Sequence, residues 1–171
     1  MIFNTQAFHQ DYFFDRKWIF QHKGNWENPG AILWDEMKEQ IRQVMIHLKE
    51  KKQHILIIEG FLLFALEELN SIFDIKIWIE ISEDIMYNRR MSTTTVPEVY
   101  FHLFLWPEYE SYRKKSILPL IENSSIHQIE GTLPKVVVVQ QALDLIFDLF
   151  SQMKSGKEKR SFNKQFFLDQ K

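Results

Sequence analysis

The sequence contains no cysteine. That excludes a disulfide framework, a zinc knuckle and a thiol nucleophile, and it is compatible with a reducing compartment. No excess of positive charge is present either: the formal net charge is −2 over 171 residues, without the basic field that would point to nucleic acid as the main partner. No run of about 18 apolar residues could span a bilayer, and nothing near Met1 has the basic start and apolar stretch of a signal peptide. The expectation is an intracellular, cytoplasmic protein. The six histidines show no metal-ligand spacing, and there is no internal repeat or low-complexity block.

Apolar and aromatic residues are plentiful: 45% of the chain is hydrophobic, with fifteen Phe and five Trp, enough to bury the core of one domain. That domain is expected over residues 1–153. From Lys154 onward "KSGKEKRSFNKQFFLDQK" carries six basic and two acidic residues and reads as a basic, mobile tail whose Phe166, Phe167 and Leu168 could dock on a protein partner.

Periodicity along the domain alternates between strand and helix. Trp34, Met37, Ile41, Val44, Met45 and Leu48 recur at helical spacing, with Asp35, Lys38, Glu39, Arg42 and Lys49 on the other face. His54 to Ile58 is a continuous apolar run, the pattern of a parallel strand covered on both faces. Ile75, Ile77, Ile79 and Ile81 alternate with Lys76, Trp78 and Glu80 as a second strand, after which Ser82 can cap a helix running toward Arg89 and Arg90. A further helix follows Pro107, and Ile126 to Ile129 is a short strand stopped by Gly131. For Lys135 to Gln152, "VVVV" favours a strand, but Leu143, Ile146, Phe147 and Phe150 recur over a length that only a helix would have.

This alternation predicts an α/β fold with a mostly parallel sheet, whose ligands bind at the carboxyl ends of the strands. Glu59 stands at such an end. A carboxylate there can hold Mg2+ beside a phosphate chain; equally, it can be a solvated strand-end Glu or the partner of a Lys.

Six stretches in one order carry a resemblance: "FHQDYFF" (8–14), "NWENPGAI" (25–32), "ILIIEGFLLF" (55–64), "NRRMST" (88–93), "YFHLFLWPEYESYRKK" (100–115) and "IEGT" (129–132). Together they resemble the nicotinamide riboside kinases, P-loop kinases close to the uridine kinases, over roughly the first 150 residues. The resemblance implies a parallel-sheet P-loop nucleoside kinase-like fold, with ATP and Mg2+ as cofactors and nicotinamide riboside or a related nucleoside as substrate. It implies that Asp11 is the catalytic carboxylate that binds the ribose 5′-hydroxyl and takes its proton, orienting the nucleophile in a loose transition state. Trp26 matches an aromatic that stacks on the nicotinamide ring, and Glu27 replaces an Asp that holds the ribose hydroxyls. Glu59 would serve Mg2+, Arg89 and Arg90 would neutralise phosphate charge from a lid, and Gly131-Thr132 would form the loop beside the adenine. Tyr100, Phe101, Trp106, Tyr109 and Tyr112 look like the family's aromatic helix, which serves packing.

Several departures matter. The family begins with a strand, a Gly-rich loop ending in Gly-Lys-Thr or Gly-Lys-Ser, and a helix, ahead of the segment matched here from Met1. No such loop occurs in these 171 residues; "SGK" at 155–157 follows no strand and is no substitute. In the lid, Met91 and Thr94 stand where basic residues are usual, the Tyr that closes on the nicotinamide is missing, and His102 replaces a common Asp. The expected fold therefore lacks its first strand, P-loop and first helix, as in a chain short of its true N-terminus or a degenerate member. Three functions follow as expectations. One is nicotinamide riboside phosphorylation that this chain alone does not perform; the others are a catalytically dead pseudokinase or interaction module, and a kinase of uridine or another nucleoside.

Overall fold

The structure, a computed structural model, describes residues 4–49, 54–93 and 96–154. Thr94 and residues 155–171, nearly all of the expected tail, lie outside the described residues. The architecture is mixed α/β, mostly helical, with two small parallel sheets, and the chain divides into two compact units between Ser71 and Ile72.

In the first unit, β1 (Asn4–His9) pairs in parallel with β2 (His54–Glu59), from Asn4 opposite His54 to His9 opposite Glu59. A parallel pair needs a long crossover, and α1 (Arg16–Gln21) and α2 (Trp34–Lys49) supply it. Asp15 starts α1 by accepting hydrogen bonds from the N–H groups of Lys17 and Trp18 at 2.9 Å. The α2 stripe read from the sequence is the buried face, with Met37 and Ile41 fully enclosed; Phe8, Phe13 and Ile19 are the buried residues of the segments before it. Leu62, Leu63 and Phe64 follow β2 into the same core, and the short α3 (Glu67–Asn70) adds Leu69.

β1 escapes a reading by periodicity because Thr5, Gln6 and Ala7 are all exposed while Phe8 is buried; it is a strand through its pairing with β2. Nor is β2 covered on both faces, as its apolar run predicted. Ile57 is 44% exposed, and β1 is its one strand partner among the described residues.

In the second unit, β3 (Ile77–Glu80) pairs in parallel with β4 (His127–Glu130). The expected strand from Ile75 to Ile81 is shortened at both ends. Its buried side is also set by Trp78, 7% exposed, while Ile79 is 51% exposed. The indole decides this: it stacks on Tyr109 at 5.7 Å, meets the Tyr112 ring at 6.0 Å, and donates its N–H to Glu80 at 2.8 Å. α4 (Glu83–Thr93) leads to a long helical run in which α5 (Glu98–Tyr100), α6 (Trp106–Tyr112) and α7 (Leu118–Glu122) are joined by π-helical stretches, Phe101–Leu105 and Arg113–Ile117. The run buries Phe101, Leu105, Tyr112 and Ile117. Arg113 reaches Glu80 at 2.8 Å, tying the run to β3. The ambiguous "VVVV" segment opens a helix, α8 (Lys135–Lys154). Among the described residues, no helix is long and apolar enough to cross a membrane.

Gly131 ends β4 against β3: its N–H donates to the Glu80 carbonyl at 2.7 Å, and a Cβ would lie 2.6 Å from that same oxygen. Backbone cannot give way as a side chain can. Gly131→Ala is therefore expected to destabilise the second unit by about 1–3 kcal/mol, read as a lowered melting temperature; an unchanged value would mean that the loop leaves β3 in solution. On α2, hydrogen bonds from the Arg42 guanidinium and the Gln43 amide hold the Glu39 carboxyl at about 2 instead of the ordinary 4.5. A depressed folded value makes the cluster's stabilisation complete above 4.5 and loses it as the pH falls toward 2. An NMR titration of this carboxyl should give a midpoint near 2; an ordinary midpoint would show that the cluster does not form.

Candidate functional site

In the first unit the strand register places His9 and Glu59 side by side at the carboxyl ends of β1 and β2. Their side chains meet, His9 Nδ1 to Glu59 Oε1 at 2.6 Å, and both remain partly exposed. The bland alternative of a Lys partner for Glu59 is replaced by an imidazole that the sequence had not singled out. One residue on, Gln10 is fully buried, and its Oε1 accepts the Leu62 N–H at 3.0 Å. Asp11 then stands exposed in the first turn of a 3-10 helix, Gln10–Phe13.

Trp26 and Glu27 come from the loop between α1 and α2. Two features shape that loop: Trp18 stacks face to face on His22 at 3.7 Å, and Gly30 packs so closely that a Cβ would lie 2.7 Å from the Trp18 ring. The Glu27 N–H donates to the buried Asn25 at 3.1 Å, while Trp26 is 42% exposed. Phe14 lies edge-on to Trp26 at 5.3 Å and tilted against Phe61 at 6.3 Å. The Trp26 loop is thereby linked through one ring to the loop that follows Glu59. Trp26, Phe14 and Phe61 make an aromatic cluster with exposed ring surface on Trp26 and Phe61. Its two Phe members were legible only as hydrophobic residues inside quoted motifs.

In the second unit, the structure brings Arg89 to Gly131-Thr132. The guanidinium donates to the Gly131 carbonyl at 2.7 Å and to the Thr132 carbonyl at 3.3 Å. The turn itself is closed by the Thr132 N–H donating to Glu130 at 3.1 Å, and hydrogen bonds from Thr132 hold the Glu130 carboxyl below its ordinary value. Arg89 thus clamps the loop after β4, an arrangement the sequence did not suggest. Arg90 is exposed beside it. The Tyr87 hydroxyl donates to Glu98 at 2.8 Å, and His102 stands 3.9 Å from the same carboxylate. The aromatic helix packs as expected: Phe101 and Tyr112 are buried, Trp106 stacks on Tyr109, and burial together with the Glu80 charge pushes the Tyr109 hydroxyl up to about 12.

For Mg2+, the test is the donor set. No group of three or more His, Cys, Asp or Glu capable of holding a metal gathers among the described residues. Glu59 offers one partly exposed carboxylate with one oxygen taken by His9. That fits a Mg2+ held chiefly by phosphates and water with one protein carboxylate, and does not fit a metal held by protein alone.

Arg89→Met removes both donors from the loop clamp and leaves the Gly131 carbonyl without them. Because Arg89 is exposed, the expected loss is about 1 kcal/mol in urea denaturation; no loss would mean that the clamp is open in solution. No protein-family model matches the chain, and no curated protein matches its sequence.

Proposed function

We propose that the chain is a nucleoside-binding domain of the nicotinamide riboside kinase class, with a P-loop kinase-like fold. The class reaction is ATP-dependent phosphorylation of the ribose 5′-hydroxyl to nicotinamide mononucleotide, a salvage route to NAD. One observation carries the reading: the in-register ends of β1 and β2 put Glu59 at the carboxyl end of one parallel strand and Asp11 in the turn that leaves its neighbour, where α/β sheets bind their ligands. The partly exposed Trp26, linked to the Glu59 loop through Phe14 and Phe61, adds a surface for a cationic ring.

In this reading the Asp11 carboxylate accepts the hydrogen bond of the 5′-hydroxyl, points its oxygen at the γ-phosphorus of ATP and takes its proton as the new P–O bond forms and the bond from that phosphorus to the bridging oxygen breaks, ADP leaving. Trp26 holds the base and Glu27 the ribose hydroxyls. Mg2+, when held by Glu59 and the phosphates of ATP, supplies charge neutralisation. A second reading, a pseudokinase or interaction module, is favoured by the engagement of Arg89 with two carbonyls and of Glu59 with His9.

Titration of the 171-residue chain with nicotinamide riboside is expected to quench tryptophan fluorescence saturably. Trp26→Phe should remove most of the signal, and Asp11→Asn should weaken affinity about tenfold, the worth of one hydrogen bond to a charged group. Absence of saturable binding sinks the reading. With ATP and Mg2+ added, binding without turnover is expected, because these residues contain no G-x-x-x-x-G-K-[ST] cradle; measurable product would remove the pseudokinase alternative. Tighter binding of uridine would reassign the substrate.

A further inference from the structure

We propose that Gln10 is a positioning residue, whose buried side chain sets the Asp11 carboxylate where it meets the 5′-hydroxyl of a nucleoside. The inference rests on the nucleoside-kinase reading given above and assigns it a residue that touches no substrate.

Gln10 is flanked by two surface groups, His9 and Asp11, yet is itself fully buried. Its Oε1 accepts the Leu62 N–H, so the turn carrying Asp11 is fastened to the loop that follows Glu59, just beyond the His9–Glu59 pair. The packing is equally close: a Cβ on Gly60 would lie 2.3 Å from Gln10 Oε1 and 2.4 Å from Gln10 Cβ. Gly60 leaves the space that Gln10 fills.

Stability alone does not single out this residue. The Gln10 Nε2 is buried without a hydrogen-bond partner among the described residues, and an unpaired buried donor is costly; an apolar side chain of the same shape would remove that donor and leave the Leu62 N–H unpaired instead. A half-satisfied amide fits a role in geometry: it fixes where the 3-10 turn leaves β1, and so where Asp11 points.

Gln10→Met keeps the length and bulk of the side chain. It leaves the Leu62 N–H unpaired but also removes the orphan donor, and these opposed effects should leave the melting temperature nearly unchanged. The readout is a ratio of affinities, nicotinamide riboside over its 5′-deoxy analogue, which lacks only the hydroxyl that Asp11 would bind. In the unaltered chain the riboside should bind about tenfold tighter. In Gln10→Met the ratio should fall to about one, with affinity for the 5′-deoxy compound retained. Gly60→Ala, which presses a methyl into Gln10 from the facing loop, should lower the ratio as well and serves if Gln10→Met does not fold. A tenfold ratio surviving in the variant, or equal weakening of both compounds, overturns the positioning role and leaves the kinase reading standing. Failure of the unaltered chain to bind either compound, or to distinguish them, overturns that reading and the inference with it.

Discussion

The first unit depends on the register of two strands of six residues each. Parallel strands make no hairpin, so nothing local fixes how β1 lies against β2; the crossover through α1 and α2 must deliver that alignment. Two polar ties at the strand ends reinforce it, His9 to Glu59 and Gln10 to the Leu62 N–H. A slip of one residue would exchange the faces of every side chain in β1, turn Ala7 or His9 inward in place of Phe8, and break both polar ties at the strand ends.

Helices were the legible part of this fold. The α2 stripe, the acidic start of α4 and the long period of α8 are each contained within a few turns of sequence, where spacing reports the helix, and in α2 its buried face as well. Strands were less legible, because what makes them strands lies elsewhere in the chain. The polar β1 is defined by β2, and the side of β3 that turns inward is chosen by Trp78 finding Tyr109 and Tyr112, some thirty residues on. Alternating isoleucines gave no sign that the larger indole would take the inner side.

At the candidate site the same division holds. Asp11, Trp26, Glu27 and Glu59 were visible as residues of a resemblance, and the first unit brings the end of β2 at Glu59 beside the turn that carries Asp11 and links Trp26 by ring contacts to the loop after Glu59. His9, Gln10, Phe14 and Phe61 were not visible as members of the candidate site, since a pairing across two strands or a contact between two loops leaves no periodic trace. Arg89 illustrates the converse: a charge that sequence context assigns to phosphate is directed in the structure to backbone carbonyls, which leave no mark in the side-chain sequence.

The separation between the two tied strand ends also governs how the unit comes together. His9 and Glu59 are 50 residues apart in sequence, so their contact closes a long loop whose entropic cost precedes any gain from the pairing. Local turns of α2 can form on a far shorter timescale than that closure. The pairing of β1 with β2 is therefore expected to follow the formation of α2, and the strand ends that carry His9 and Glu59 to take their final arrangement with it.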